Sequence, residues 1–157
     1  MAALSVFPAA AEPARMPERK AGLWHMTTTM DEGNGAVTQD LTMCVDARME
    51  RLTVSASAEE HGKQCARYDI ARRGEATVVE MSCQFSGRQV ESKTEMSGDF
   101  QSAFAVKIES TTSGEQDAQS VSVKRTIQQT GTYLGADCGD LSGGEAKGPD
   151  GTRVMVQ

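Results

Sequence analysis

A chain of 157 residues is one domain by size, long enough to bury a single core and too short for a second. Hydrophobic residues make up 38% of it and aromatic residues only 4%, so the core must be built from Val, Met, Ala and Leu. A net charge of −6 with no cluster of Lys and Arg argues against a nucleic-acid or anionic-membrane partner, since phosphate contacts need dense cations.

The first residues, MAALSVFPAAA, are small and apolar and end in Ala9-Ala10-Ala11, the pattern a signal peptidase cuts. Residues 1–11 therefore read as the remnant of a signal peptide, although no cationic region precedes the apolar run. Cleavage after Ala11 would give a periplasmic or secreted protein. Residues 12–21 hold Pro13, Pro17 and several charges without a period, which predicts a linker. The ordered domain is expected over 22–139.

Trp24, Met26, Thr28 and Met30 alternate on one face of a first strand, and Val37, Gln39, Leu41 and Met43 on one face of a second. Asn34-Gly35 between them is a strong hairpin signal. With those two as the turn, Thr28 would face Leu41 and Met26 would face Met43. After Cys44 the period changes. Asp46 can cap a short helix with Met49 and Leu52 on one side, and Thr53 to Gly62 is expected to be irregular or weakly helical.

Gln64 to Phe85 reads as the central hairpin. Ala66, Tyr68 and Ile70 alternate on its first arm and Val79, Met81, Cys83 and Phe85 on its second, with Gly74 in the turn. Val90, Ser92, Thr94 and Met96 mark the next strand, and Phe100, Ser102, Phe104, Val106 and Ile108 the one after it. A loop at Ser97-Gly98-Asp99 would set Met96 against Phe100 and Thr94 against Ser102. A polar loop is expected from Thr111 to Ala118, then a last strand with Val121, Val123 and Ile127 inward. Residues 140–157, rich in glycine and without a pattern, are expected to be a disordered tail.

These elements predict an all-β, mainly antiparallel fold: a meander of about seven strands forming a curved sheet or partly closed barrel, with one short helix. No run is long enough to span a membrane as a helix.

The order of signatures along the chain is that of a known family. Gly22-Leu23-Trp24 opens the first strand, Cys44 closes the second, Cys65 and Cys83 bracket a hairpin, and the last strand ends in GTYLGADC, residues 131–138. The chain resembles the bacterial domain-of-unknown-function family 3617 over roughly Arg19 to Gly139. The resemblance implies an exported, four-cysteine, β-rich envelope protein, and it implies no activity.

Four cysteines without a C-x-x-C fit structural disulfides in an oxidising compartment. The favoured pairing is Cys65 with Cys83 and Cys44 with Cys138. One difficulty stands against it: a Gly74-Glu75 turn sets Ala66, not Cys65, opposite Cys83, so a bulge is required near Cys65. The alternative, Cys44 with Cys65 and Cys83 with Cys138, stays open.

The search for chemistry returns little. His61 and Cys65 are four apart, but zinc needs further ligands that are not in view. Trp24, Met26, Met30 and Met43 share a face that could offer thioethers to Cu(I), but adaptable core is the ordinary role of such methionines. Asp140-Leu141-Ser142-Gly143-Gly144 is like a serine-protease motif interrupted by Leu141, and there is no G-x-S-x-G. No catalytic residue, metal or cofactor is therefore expected.

The expected function is a non-catalytic binding or accessory module of the cell envelope. Its candidate ligand face is Trp24, Met26, Met30, Met43, Val79, Met81 and Phe104, and its partner a small apolar ligand or an envelope protein. A purely structural envelope protein and an enzyme with an unrecognised site are the alternatives.

Overall fold

Turn chemistry sets the registers of this chain, and the registers build the sheet. The structure is a computed structural model and describes residues 14–157. The expected leader, residues 1–11, and the first linker residues lie outside the described residues.

Strands β1 (Gly22–Asp31) and β2 (Ala36–Val45) form the first hairpin. The expected two-residue turn is not made. Asp31 Oδ1 accepts the Gly33 N–H at 2.7 Å, the loop takes residues 32–35, and Asp31 faces Ala36. The register is therefore two residues from the expected one, with Met26 facing Leu41 and Trp24 facing Met43. A slide of two keeps every side chain on its face, so the alternation holds although the partners differ.

Helix α1 (Ala47–Gln64) is 18 residues long rather than short. Asp46 caps it as expected, accepting the N–H groups of Arg48 and Met49 at 3.0 and 2.9 Å. Thr53 to Gly62 is helical, carried by Ala56, Ala58, Glu59 and Glu60, which favour that state. Met49 and Leu52 are exposed, and Glu50 is the helix's buried residue.

The central hairpin joins β3 (Cys65–Arg73) to β4 (Ala76–Phe85) through Gly74, at φ 64°, and Glu75. Arg73 faces Ala76, as the alternation required. A register shift between Cys65 and Arg67 leaves Ala66 as the extra residue of a bulge, which brings Cys65 opposite Cys83. Ser86-Gly87 then turns the chain into β5 (Arg88–Gly98), both residues at positive φ as a type I′ hairpin requires.

Strand β6 (Ala103–Gln116) does not start where the alternation placed it. Asp99 Oδ1 accepts the N–H groups of Gln101, Ser102 and Ala103 at 2.9, 2.7 and 3.1 Å, which makes residues 99–102 the loop. Met96 consequently faces Val106, and Phe100 leaves the strand to lie buried over the core. The stretch expected as a polar loop is strand up to Gln116, turned by Asp117-Ala118 into β7 (Gln119–Gly135). Val121 and Val123 face inward by register but are exposed, because β1 ends opposite Thr126 and leaves this end of the hairpin uncovered.

Residues 140–157 are folded, not disordered. Strand β8 (Glu145–Lys147) pairs with β2 at Thr42 and Met43, β9 (Arg153–Met155) pairs with β8, and Ala146 is fully buried. Strands of three residues are too short for alternation to reveal.

The nine strands of the described residues lie in one antiparallel sheet, ordered β3-β4-β5-β6-β7-β1-β2-β8-β9, and the sheet is not closed. Helix α1 leaves β2 and enters β3, at opposite sides of that order. It lies against β3 and β4, and its 18 residues reach about 27 Å.

Candidate functional site

One face of the sheet, called inner here, carries Trp24. Register fixes its membership, because cross-strand partners share a face. Trp24, Tyr133, Met43 and Ala146 form one row, and Met26, Gly131, Phe104 and Leu41 the next. Farther along, Ile70, Val79, Thr94, Ile108, Ile127, Met30 and Val37 make a continuous row across seven strands. All seven residues expected on the ligand face do share this inner side.

They do not share an environment. Trp24, Met26, Met43, Val79 and Phe104 are packed into one core cluster, so no ligand reaches them. Trp24 is fully buried, its indole N–H donates to the Lys20 carbonyl at 2.8 Å, and its ring meets Phe104 and Tyr133 at 5.4 and 5.3 Å. Phe100 stacks on Phe104 from above. Of the expected face, exposed Met30 and half-buried Met81 remain reachable. Ile108 and Ile127, half-buried in the same row as Met30, were placed inward by the sequence but not assigned to the site.

The segment expected as a linker closes the core. Residues 14–20 form no regular element, yet Met16 packs on the cluster and the Lys20 N–H donates to the Phe100 carbonyl at 2.9 Å. Arg19 reaches Glu50, which is 5% exposed: Nε lies 2.9 Å from Oε1, NH2 2.7 Å from Oε2, and the Arg19 backbone N–H 3.0 Å from Oε1. Gln157 adds its amide to Oε2 at 2.6 Å. Burial alone would raise the Glu50 pKa, but the hydrogen bonds and charge of Arg19, with the Gln157 amide, outweigh it and hold the carboxyl below its ordinary value. The cluster joins the N-terminal segment, α1 and the last residue.

Arg19 NH1 also lies 3.6 Å from the Met26 sulfur and 3.4 Å from the Met43 sulfur. A guanidinium on both thioethers leaves no place there for Cu(I). The zinc idea meets a similar end, because Cys65 is in a disulfide and no metal-holding group of three His, Cys, Asp or Glu occurs among the described residues.

Helix α1 is tied at both ends. At its start Asp46 and Glu50 are held, and Cys44, just before it, is bonded to Cys138. At its end Cys65 is bonded to Cys83, and His61 stacks on Tyr68 at 5.1 Å with its Nδ1–H donating to the Ser57 carbonyl at 2.6 Å. Tyr68 belongs to the inner face, so the helix lies as a strap over that side near β3. Between its ends residues 51–60 are exposed apart from half-buried Val54 and Ser57, so its middle is the weakly held part.

The outer face is a charged lattice. Arg67 pairs with Asp69 and Glu80, Lys93 with Glu95, and Lys107 with Glu109. A shallow recess of about 650 Å³ near the β1–β2 edge includes His25 and Asp40, 3.5 Å apart. Asp40 also accepts from Thr27 at 2.5 Å, which commits one oxygen to both neighbours. Among the described residues Glu50 and Thr77 are the buried polar ones, and no buried side-chain polar atom among them lacks a partner.

A model of the family described as "Protein of unknown function (DUF3617)" matches residues 19–138. No curated protein and no solved structure matches the chain.

Proposed function

The chain belongs to the DUF3617 family of proteins of unknown function, and from that premise we propose that it is an exported, non-catalytic binding module of the cell envelope. Its site is the open part of the inner sheet face. The observation that carries this reading is the largely apolar row from Ile70 to Val37, which crosses seven strands of an unclosed sheet and is packed at its β3–β4 end, where Val79 joins the core and Ile70 lies against it. Ligand sites are concave and mostly apolar, with a few polar groups to orient what they hold. Two disulfides support an oxidising location, and the strap α1 provides a cover that can move at its centre while its ends stay fixed.

Native mass spectrometry of protein recovered from the periplasm tests this reading. The expected species begins after Ala11, lacks four hydrogens for its two disulfides, and carries an apolar small-molecule adduct. Four free thiols would overturn the export argument. A mature, oxidised chain that stays without adduct, and binds no apolar dye when offered one, would overturn the binding role.

A further inference from the structure

The two faces of the sheet differ in charge as well as in polarity. In β1 to β7, the charged residues that register places on the inner face are Arg72, Arg88 and Arg125, all cations. The acids of these strands, among them Asp69, Glu80, Glu91, Glu95 and Glu109, fall on the outer face. In a chain of net charge −6, an inner face whose charges are all arginine is a sorted arrangement.

Two of these arginines stand together. Arg88 and Arg125 line a recess of about 210 Å³ at the uncovered end of the β6–β7 hairpin, beside exposed Val121 and Val123. Gly114, the partner of Val121, leaves room for the stem of Arg88: a β-carbon there would stand 3.2 Å from Arg88 Cγ. Arg125 is paired with Glu32, whereas Arg88 has no ion pair among the described residues. Glu32 lines the recess beside Arg125, and Glu115, on the outer-face register, lines it too, so Arg88 is the cation there that no carboxylate among the described residues pairs. The recess is smaller than a pocket that takes a whole drug-sized molecule. It opens beside Arg125, and the apolar row through Ile127 and Ile108 begins two residues away.

Resting on the binding role above, we propose that the ligand is a single-chain amphiphile with an anionic head. Its carboxylate meets Arg88, with Arg125 shared between the ligand and Glu32. Its hydrocarbon chain runs over Val123 and Ile127 onto the row that contains Ile108 and Met30. Arginine suits this role because its guanidinium offers a planar pair of donors to a carboxylate.

The test uses the oxidised full chain and displacement of the apolar dye N-phenyl-1-naphthylamine by three probes of equal chain length, below their micellar concentrations. These are dodecanoate, dodecyltrimethylammonium and dodecyl maltoside. Dodecanoate is expected to displace the dye at least about tenfold more tightly than either of the others, the step that one added ion pair of about 1.4 kcal/mol supplies. Arg88→Gln is expected to remove that preference, and Ile108→Asp to weaken all three probes together, with thermal midpoints checking that both variants fold. Equal displacement by all three probes would overturn the anionic head and leave the apolar site standing. Failure of the dye itself to bind would overturn the site.

Discussion

Arg19 and Glu50, 31 positions apart, meet in a two-pronged ion pair beneath the start of α1, and Gln157 closes the same carboxylate from the other end of the chain. Three segments that share no sheet pairing are held at one buried group. Breaking a buried pair from one side leaves an uncompensated charge, which costs more than the pair contributes.

Glu50→Gln is accordingly expected to lower stability by about 3 kcal/mol in urea unfolding at neutral pH. The pH dependence follows from the sign of the shift. The folded-state pKa is below the unfolded one, so the stabilisation is fully present above the ordinary value of 4.5 and is lost as pH falls through the folded value. Wild type should lose stability in that acid window more steeply than Glu50→Gln, and parallel curves would refute the assignment.

The two disulfides should differ in weight. Cys44–Cys138 spans 94 residues and Cys65–Cys83 spans 18. Chain-entropy reasoning gives losses of about 5 and about 3 kcal/mol when each pair is replaced by serine. Urea titrations of the two double mutants compare them directly, and the order of the two midpoints is the prediction.

Gly131→Ala tests the closest approach in the core. A β-carbon at Gly131 would overlap the edge of the Phe104 ring, which packs on Trp24. Overpacking of this kind costs about 1–3 kcal/mol. The single tryptophan should report it as a shifted emission spectrum in the folded state, together with a lower thermal midpoint.

Asp99→Ala removes the acceptor for three backbone N–H groups and the Ser102 hydroxyl. Those bonds hold the Asp99 carboxyl well below the usual aspartate range and fix the loop that buries Phe100. The variant should unfold at lower urea concentration and exchange the Gln101 to Ala103 amides faster. Unchanged exchange would show that the loop is set by Phe100 instead.

Alternation along each strand identified the inner and outer faces, and those assignments hold at Trp24, Met26, Met43, Val79 and Phe104. Partner choice was less legible. Asp31 and Asp99 each capture backbone N–H groups just beyond a strand end, moving two registers by an even number of residues, and even slips leave no trace in a period of two. The candidate site was legible only in part, because which inner-face residues are open depends on what covers them. Phe100 and Arg19 cover one half, and neither position follows from local sequence.

The sequence by itself determined the class of this protein. Short alternating runs, glycine-bearing turns and four cysteines specify an antiparallel β domain, since strand period and turn conformation are local properties of the backbone. Only the tertiary structure decided that the C-terminal residues complete the sheet, that the helix links strands on opposite sides of it, and that the charged residues which β1 to β7 turn inward are all arginine. Each of these depends on pairings between distant segments, whose free energy comes from burial and from satisfied hydrogen bonds that no local window contains.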